Sequence, residues 1–142
     1  MEKTLQDLLY SCIDLSLLLK HVHWNVRGKG FNPFHTFLDT VYEAVLEVQD
    51  TLAERMVTLD IPASGLAEDV ANNSRLATLP VKFMSVDSGI DELTERLKQV
   101  VDQFYTAVNS IEEPVTGNIL QDMTGTLDKY LWLLRSQKPF DE

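Results

Sequence analysis

Apolar residues recur every three or four positions along most of the chain, and this helical period is the feature that most constrains the fold. Four such stretches cover about residues 3–27, 32–62, 85–111 and 116–136. Gly28 and Gly30 follow the first stretch and end it. Asn32 is the expected N-cap of the second helix, with Pro33 at its first helical position, and Thr116 is the expected N-cap of the fourth helix. No strand pattern is evident. The sequence therefore predicts an all-α protein.

Residues 63–84 separate the second and third stretches and are too long to form a plain turn. They contain a short helical pattern over residues 66–71. A long middle crossover lets the second and third helices run parallel, as in a ferritin-like four-helix bundle. We therefore expect that fold, with a short helix in the crossover between helices 2 and 3, as a single domain over residues 1–142.

The charge balance limits the partners of this chain. The formal net charge of −10 disfavours unaided attraction to DNA or to anionic membranes and favours cations. A single cysteine, Cys12, cannot form an internal disulfide, and it lies on the apolar stripe of the first helix as an expected core residue. With no apolar stretch long enough to span a bilayer, we expect a cytoplasmic protein.

One face of the second helix carries an acidic stripe. At 100° per residue, six polar side chains fall within an arc of about 120° that points away from the apolar face: His35, Asp39, Glu43, Glu47, Asp50 and Glu54. A solvated helix face is the plain alternative. However, like charges four residues apart repel each other, and the stripe itself contains no Lys or Arg. This pattern favours a bound cation.

Helix geometry divides the stripe into two half-sites. His35 and Glu54 are nineteen residues apart, or about 28 Å along a helix axis, so one ion cannot contact both. The short connection after the first helix should bring His23 beside His35 and Asp39. Asp50 and Glu54 could join these groups only from an antiparallel second copy. The sequence therefore predicts a metal site shared between two subunits.

The donor set indicates which ions fit. Imidazole and carboxylate ligands suit Fe(II), with Zn or Mn as substitutes, and the absence of thiolates argues against a structural zinc or iron–sulfur site. The inward stripes of the third and fourth helices read as purely apolar and carry no Glu-x-x-His motif. A di-iron centre inside the bundle is therefore not expected.

These residues resemble a known family. Lys-His-Val-His-Trp-Asn-Val-Arg-Gly at residues 20–28, then Phe31, His35 and Asp39, then Asp-Thr-Leu-Ala-Glu-Arg at residues 50–55, are similar to the motifs of the Dps family of dodecameric miniferritins. The similarity covers nearly the whole chain. It implies oxidation of Fe(II), with hydrogen peroxide as the preferred oxidant over oxygen, and storage of ferric mineral inside a hollow homododecamer.

The resemblance also assigns roles to individual residues. It implies that His23, His35 and Asp39 of one subunit bind iron together with Asp50 and Glu54 of another, with Trp24 beside the site as a radical acceptor or a packing group. It implies mineral nucleation at Glu43 and Glu47, and pore-lining roles for Glu113 and Asp122.

Other residues of the chain are expected to have no part in this chemistry. His21 points away from His23, and Tyr130 and Trp132 are expected packing groups. Some family members bind DNA through a Lys-rich tail, but Lys3 is the only basic residue before Lys20, so we expect DNA binding to be weak or absent. A nucleoid-associated protein and a non-catalytic scaffold remain the alternative functions.

Overall fold

The computed structural model describes residues 1–141. Its elements, in chain order, are α1 (Glu2–Asn25), β1 (Val26–Arg27), α2 (Phe31–Thr58), α3 (Ala67–Asn73), β2 (Met84–Ser85), α4 (Val86–Ser110) and α5 (Pro114–Arg135). The four long helices, with the short α3 in the crossover, confirm the predicted four-helix bundle. The helices called third and fourth above are α4 and α5.

The two short strands show how the bundle is connected. β1 follows α1 and pairs in parallel with β2, which precedes α4, with Val26 opposite Met84. The end of α1 and the beginnings of α2 and α4 therefore meet at one end of the bundle. As a result, α2 and α4 run parallel, and α1 packs against both of them.

The strand pair contradicts the expectation of a chain without strands and of a first helix that continues to Arg27. Val26 leaves the helix with extended dihedral angles, and its side chain is buried. The Asn25 amide donates to the His21 carbonyl and so satisfies one of the last carbonyl groups of α1. Two strand residues separated by 58 positions leave no periodic pattern for a sequence to reveal.

The predicted N-cap of α2 is also wrong. The helix begins at Phe31 after Gly30, and both Gly28 and Gly30 have positive φ angles, of 95° and 80°. Glycine adopts this left-handed conformation without steric cost, which allows the sharp turn. Asn32 lies inside the first helical turn, where Pro33 also fits because its missing N–H would have no helical partner.

Helix α5 begins at Pro114, two residues before the predicted cap. The Glu113 carboxylate accepts hydrogen bonds from the Val115 and Thr116 backbone N–H groups at 2.9 and 2.8 Å. Thr116 is a fully buried helical residue that donates its hydroxyl to Glu113. An acidic side chain here also interacts favourably with the positive end of the helix dipole.

The interior of the described residues is mostly apolar, but six polar residues are buried in it: Ser11, Ser16 and His23 on α1, and Arg96, Thr116 and Thr124 on α4 and α5. The inward stripes of α4 and α5 are therefore not purely apolar. The Arg96 guanidinium donates to the carbonyls of Ala77 and Thr78 at 2.8 and 3.1 Å. It thereby anchors the crossover to α4.

Cys12 is fully buried, as expected, and burial raises the pKa of its thiol to about 12. Tyr130 packs against the core, whereas Trp132 is 53% exposed and is not the packing group that we expected within one chain. None of the helices in residues 1–141 has the length and apolar character needed to cross a membrane.

Candidate metal centre

Two histidines from different helices are stacked at one end of the bundle. His23 lies in the last turn of α1 and His35 in the first turns of α2, and the 28–30 turn brings them together. Their ring centroids are 3.6 Å apart and the ring planes are inclined by 11°. The contact between His23 and His35 that the short connection predicts is therefore present.

Reciprocal hydrogen bonds fix the orientation of both imidazole rings. Nδ1 of His23 contacts the His35 carbonyl oxygen at 2.7 Å, and Nδ1 of His35 contacts the His23 carbonyl oxygen at 2.7 Å. Because a carbonyl only accepts, each Nδ1 must carry the proton. In the neutral rings the lone pair is therefore on Nε2, which is the arrangement found in metal-binding histidines whose other nitrogen donates to a backbone carbonyl.

Phe31 adds a third ring to this stack. Its centroid lies 4.8 Å from that of His35. Since His23 is buried and His35 is only partly exposed, packing restricts the movement of both rings.

Asp39 lies one helical turn after His35 and faces the same rings. Its Oδ1 is 3.6 Å from Nε2 of His23, which is too far for a hydrogen bond but leaves the two atoms on the same side of the site. The side chain remains 45% exposed. Three of the five predicted ligands therefore lie near one another, at the end of α1 and the beginning of α2.

Sequence reasoning missed a cation in this group. Nζ of Lys20, on α1, donates to Oδ1 of Asp39 at 2.6 Å and lies 4.7 Å from the centroid of the Tyr42 ring. This hydrogen bond from Lys20 holds the pKa of the Asp39 carboxyl below its ordinary value. A sequence signal existed, because Lys20 and His23 are three residues apart and share a face of α1.

Asp50 and Glu54 form the second group, near the other end of α2. Both side chains are exposed. A hydrogen bond with Asp50, together with the repulsion between the two carboxylates, raises the pKa of Glu54. Two carboxylates at this spacing form an anionic pair suited to a divalent cation.

The two groups do not meet within one chain. They lie on one continuous helix, so His35 and Glu54 remain about 28 Å apart. Across residues 1–141, no three His, Cys, Asp or Glu side chains converge closely enough to hold a metal ion by themselves. The five predicted ligands could surround one ion only if two chains contributed.

Trp24 lies next to the histidine pair, with 69% of its surface exposed. It lines an open cleft together with Phe31 and Phe83. The Arg27 guanidinium in the same cleft lies 3.3 Å from the centroid of the Phe83 ring. Trp24 is thus accessible from solvent beside the candidate centre.

His21, the third histidine of the chain, is not part of the histidine pair. Its Nε2 lies 3.0 Å from the Pro80 carbonyl oxygen.

One residue predicted for mineral nucleation shares a groove with one predicted for a pore, whereas the second pore residue lies elsewhere. Glu43 and Glu47 are exposed on α2. Glu47 and Asp122 line the same groove between α2 and α5. Glu113 instead caps α5 and pairs with Arg55 at 3.0 Å, and its hydrogen bonds from Thr116 lower its pKa to about 2.

Comparisons with known proteins agree with this architecture. A family model described as Ferritin-like domain matches residues 2–138. The DNA protection during starvation protein of Agrobacterium fabrum is 33% identical over 135 residues, which cover 93% of this chain and 83% of that protein. The DNA protection during starvation protein 2 of Deinococcus radiodurans is 29% identical over 136 residues, which cover 94% of this chain but only 56% of that protein. The crystal structure of a Dps from Deinococcus radiodurans gives a TM-score of 0.90 at 30% identity, covering 95% of this chain and 83% of that one.

Proposed function

The chain belongs to the ferritin-like domain family and, within it, to the Dps proteins, and from this premise we propose that it is a ferroxidase and iron-storage miniferritin. Its substrate is Fe(II), which it oxidises at a site formed between two subunits of a hollow homododecamer. The ferric product is stored as mineral inside the shell. The protein thereby removes both free Fe(II) and peroxide and protects the cytoplasm in which it works from oxidative damage.

The observation that carries this proposal is the division of donors along α2. His23, His35 and Asp39 lie around the turn between α1 and α2. Asp50 and Glu54 lie farther along α2, with Asp50 about 16 Å beyond Asp39 and Glu54 about 28 Å beyond His35. Two chains packed antiparallel across a two-fold axis would place each half-site against the other. Such an interface contains two equivalent sites.

The donor chemistry suits Fe(II). The two free Nε2 lone pairs supply neutral ligands, and the carboxylates supply the negative charge that stabilises the more highly charged ferric product. Zn and Mn fit the same donors without this redox step.

The reaction balances with hydrogen peroxide as oxidant. Two Fe(II) ions each lose one electron, the O–O bond of one peroxide breaks, and two protons from solvent complete two water molecules. Oxygen is the alternative oxidant. We propose a mono-iron or di-iron occupancy of the centre, and with two Fe(II) ions bound together the peroxide would receive both electrons at once, which avoids the release of hydroxyl radical. We assign to Trp24 the donation of one electron to an oxidising species left by an incomplete turnover, and its exposure beside the histidines supports this role.

Acidic side chains outside the centre would bind the ferric product and attract incoming Fe(II). We assign nucleation of the ferric mineral to Glu43 and Glu47, and attraction of Fe(II) at a pore to Glu113 and Asp122. The ion pair with Arg55 already neutralises Glu113, so Asp122 should contribute more of the pore attraction.

A stopped-flow measurement of ferric absorbance after anaerobic Fe(II) loading and addition of peroxide tests the proposal. We expect His35→Ala and Asp50→Ala each to lose rapid oxidation, whereas His21→Ala retains it. When the two inactive variants are assembled together, an interface between unlike chains regains one intact site, so part of the rate should return. No recovery in verified mixed assemblies would contradict a shared site.

The relatives' names refer to DNA protection, and we propose that protection by this chain is chemical rather than by coating DNA. Its net charge of −10 opposes contact with a phosphate backbone. A gel-shift titration at physiological salt should show no retardation of duplex DNA below micromolar protein. Tight binding in that assay would support the alternative of a nucleoid-associated protein. In the stopped-flow assay, a folded protein that oxidises no Fe(II) would support the alternative of a non-catalytic scaffold.

A further inference from the structure

An ammonium group is already bound to one of the candidate ligands. Nζ of Lys20 donates to Oδ1 of Asp39 at 2.6 Å, and the lysine side chain is only 28% exposed. The pair joins α1 to α2 at the level of the histidine stack. The Asp39 carboxylate of this pair is still 45% exposed, so an incoming ion can reach it from solvent.

The same carboxylate oxygen faces the histidine donor. Oδ1 of Asp39 is 3.6 Å from Nε2 of His23, the nitrogen with the free lone pair. A metal ion held by Nε2 and by Oδ1 would lie within a few ångströms of the Lys20 ammonium. The ion and the ammonium are both cations, so they repel each other and compete for one oxygen.

We propose that Lys20 is a resident cation of the centre, which competes with the incoming divalent ion for Asp39 and so weakens its binding. This inference rests on the proposed metal site. Lys20 acts here as a positioning residue, because its effect on the metal passes through Asp39.

The Tyr42 ring offers Lys20 a second position. The ammonium is already 4.7 Å from the ring centroid, within the range of a cation–π interaction. A lysine has a flexible four-carbon stem and a compact charge, so it can leave the carboxylate while keeping contact with the ring. Displacement by the metal therefore does not require the side chain to move into open solvent.

Weakened binding suits an ion that is a substrate. A permanently bound metal gains from the tightest possible site, whereas oxidised iron must leave for the site to accept further Fe(II). A fixed positive charge beside the ligands raises the rate of release more for Fe(III) than for Fe(II), because repulsion increases with the charge of the ion.

Calorimetric titration of the assembled protein with Zn²⁺ alone, at one pH, tests the inference. Lys20→Met keeps most of the aliphatic stem and removes the charge, and we expect Zn²⁺ to bind about tenfold more tightly. Lys20→Arg keeps the charge and should show no tightening. A merely structural role for Lys20 would instead weaken metal binding on substitution, so unchanged or weaker binding in Lys20→Met would overturn the proposal.

Lys3→Met is the matched control. Lys3 also pairs with a carboxylate on α1, Asp7, at 2.7 Å, but it lies seventeen residues before Lys20, about 26 Å along the helix. This variant should bind Zn²⁺ like the wild type, and equal tightening in Lys3→Met would show a general effect of charge and overturn the role of Lys20.

A further titration separates this inference from the proposed function. If Zn²⁺ binding survives in His35→Ala, the ion occupies another site and the proposed function fails. If binding is lost in His35→Ala but Lys20→Met does not tighten it in the otherwise intact protein, only the inference about Lys20 fails.

Discussion

His23 and His35 hold each other in place, since each Nδ1 donates to the other residue's carbonyl oxygen at 2.7 Å while the two rings stack at 3.6 Å. The helix hairpin thus fixes the tautomer and the orientation of both imidazoles before any ion arrives. Preorganised ligands lose little conformational freedom on binding.

Loss of this pair should abolish metal binding with little effect on the fold. We expect His35→Ala to weaken Zn²⁺ binding by at least about 100-fold, because it removes one donor and frees the ring of His23. His21→Ala is the control, because His21 contacts the Pro80 carbonyl and not the histidine pair. This variant should bind Zn²⁺ like the wild type. Equal weakening in both variants, measured by calorimetry, would contradict the assignment.

The Asp50–Glu54 pair should make the metal-free protein less stable at neutral pH. The pKa of Glu54 in the fold is raised by Asp50, so its contribution to stability is greatest below the ordinary value of 4.5 and is lost as pH rises through the raised pKa. Asp50→Asn should therefore raise Tm by about 1–2 °C at pH 7 and have little effect at pH 3.

With Zn²⁺ present, the wild type should instead have a higher Tm than Asp50→Asn. The wild type gains stability from the bound ion, and the variant does not. Glu95→Gln removes an exposed acidic group from α4 and serves as the control. If Zn²⁺ raises the Tm of Asp50→Asn as much as that of the wild type, the carboxylate pair is not part of the site.

Close packing at the site end of the bundle depends on Gly89 of α4. A Cβ atom there would lie 3.0 Å from Val22, 3.1 Å from Phe34 and 3.1 Å from Val26. Gly89→Ala should therefore reduce the free energy of unfolding by about 1–3 kcal/mol through overpacking.

Gly125 of α5 has open space around its Cα, so Gly125→Ala should instead stabilise the protein by about 0.5–1 kcal/mol. Urea unfolding of the two variants provides the comparison. Stabilisation by Gly89→Ala would contradict close packing of α4 against Val22 and Val26.

The cap of α5 should respond to acid. The pKa of Glu113 is lowered to about 2 by its hydrogen bonds from Thr116 and Val115. Its contribution to stability is therefore complete above the ordinary pKa of 4.5 and is lost as pH falls through about 2. Glu113→Gln should have a lower Tm than the wild type at pH 7, and the difference should disappear near pH 2.

Circular dichroism melts between pH 7 and pH 2 measure this convergence. The neighbouring variant Glu112→Gln changes the same charge without removing the cap, and should match the wild type throughout. A difference between Glu113→Gln and the wild type that stayed constant with pH would argue against a role for the ionised carboxylate.

The sequence was sufficient to predict the helices and the contact between His23 and His35. Helical period is a local signal that needs no distant contact. A short connection between two long helices also brings the end of the first helix close to the beginning of the second, which predicts the contact between the two histidines. The arc of charged residues on α2 likewise follows from the geometry of a single helix.

The features that were not predicted depend on contacts between distant segments. Pairing of Val26 with Met84 shortens α1, and the capping role falls to Glu113 because Arg55 and Thr116 both contact its carboxylate. The contact of Lys20 with Asp39 was not predicted because it joins two helices, and the acidic stripe follows from the geometry of α2 alone. The spacing of three residues between Lys20 and His23, which puts both on one face of α1, is the local signal for it.

Anomalous diffraction at the zinc absorption edge, from crystals of the assembled protein soaked in Zn²⁺, tests the shared site most directly. We expect an ion about 2.0–2.2 Å from histidine nitrogen and carboxylate oxygen of one chain, with Asp50 or Glu54 of a second chain completing its coordination. An ion bound by groups of a single chain, or two-fold contacts that leave Asp50 and Glu54 far from His23 and His35, would contradict it.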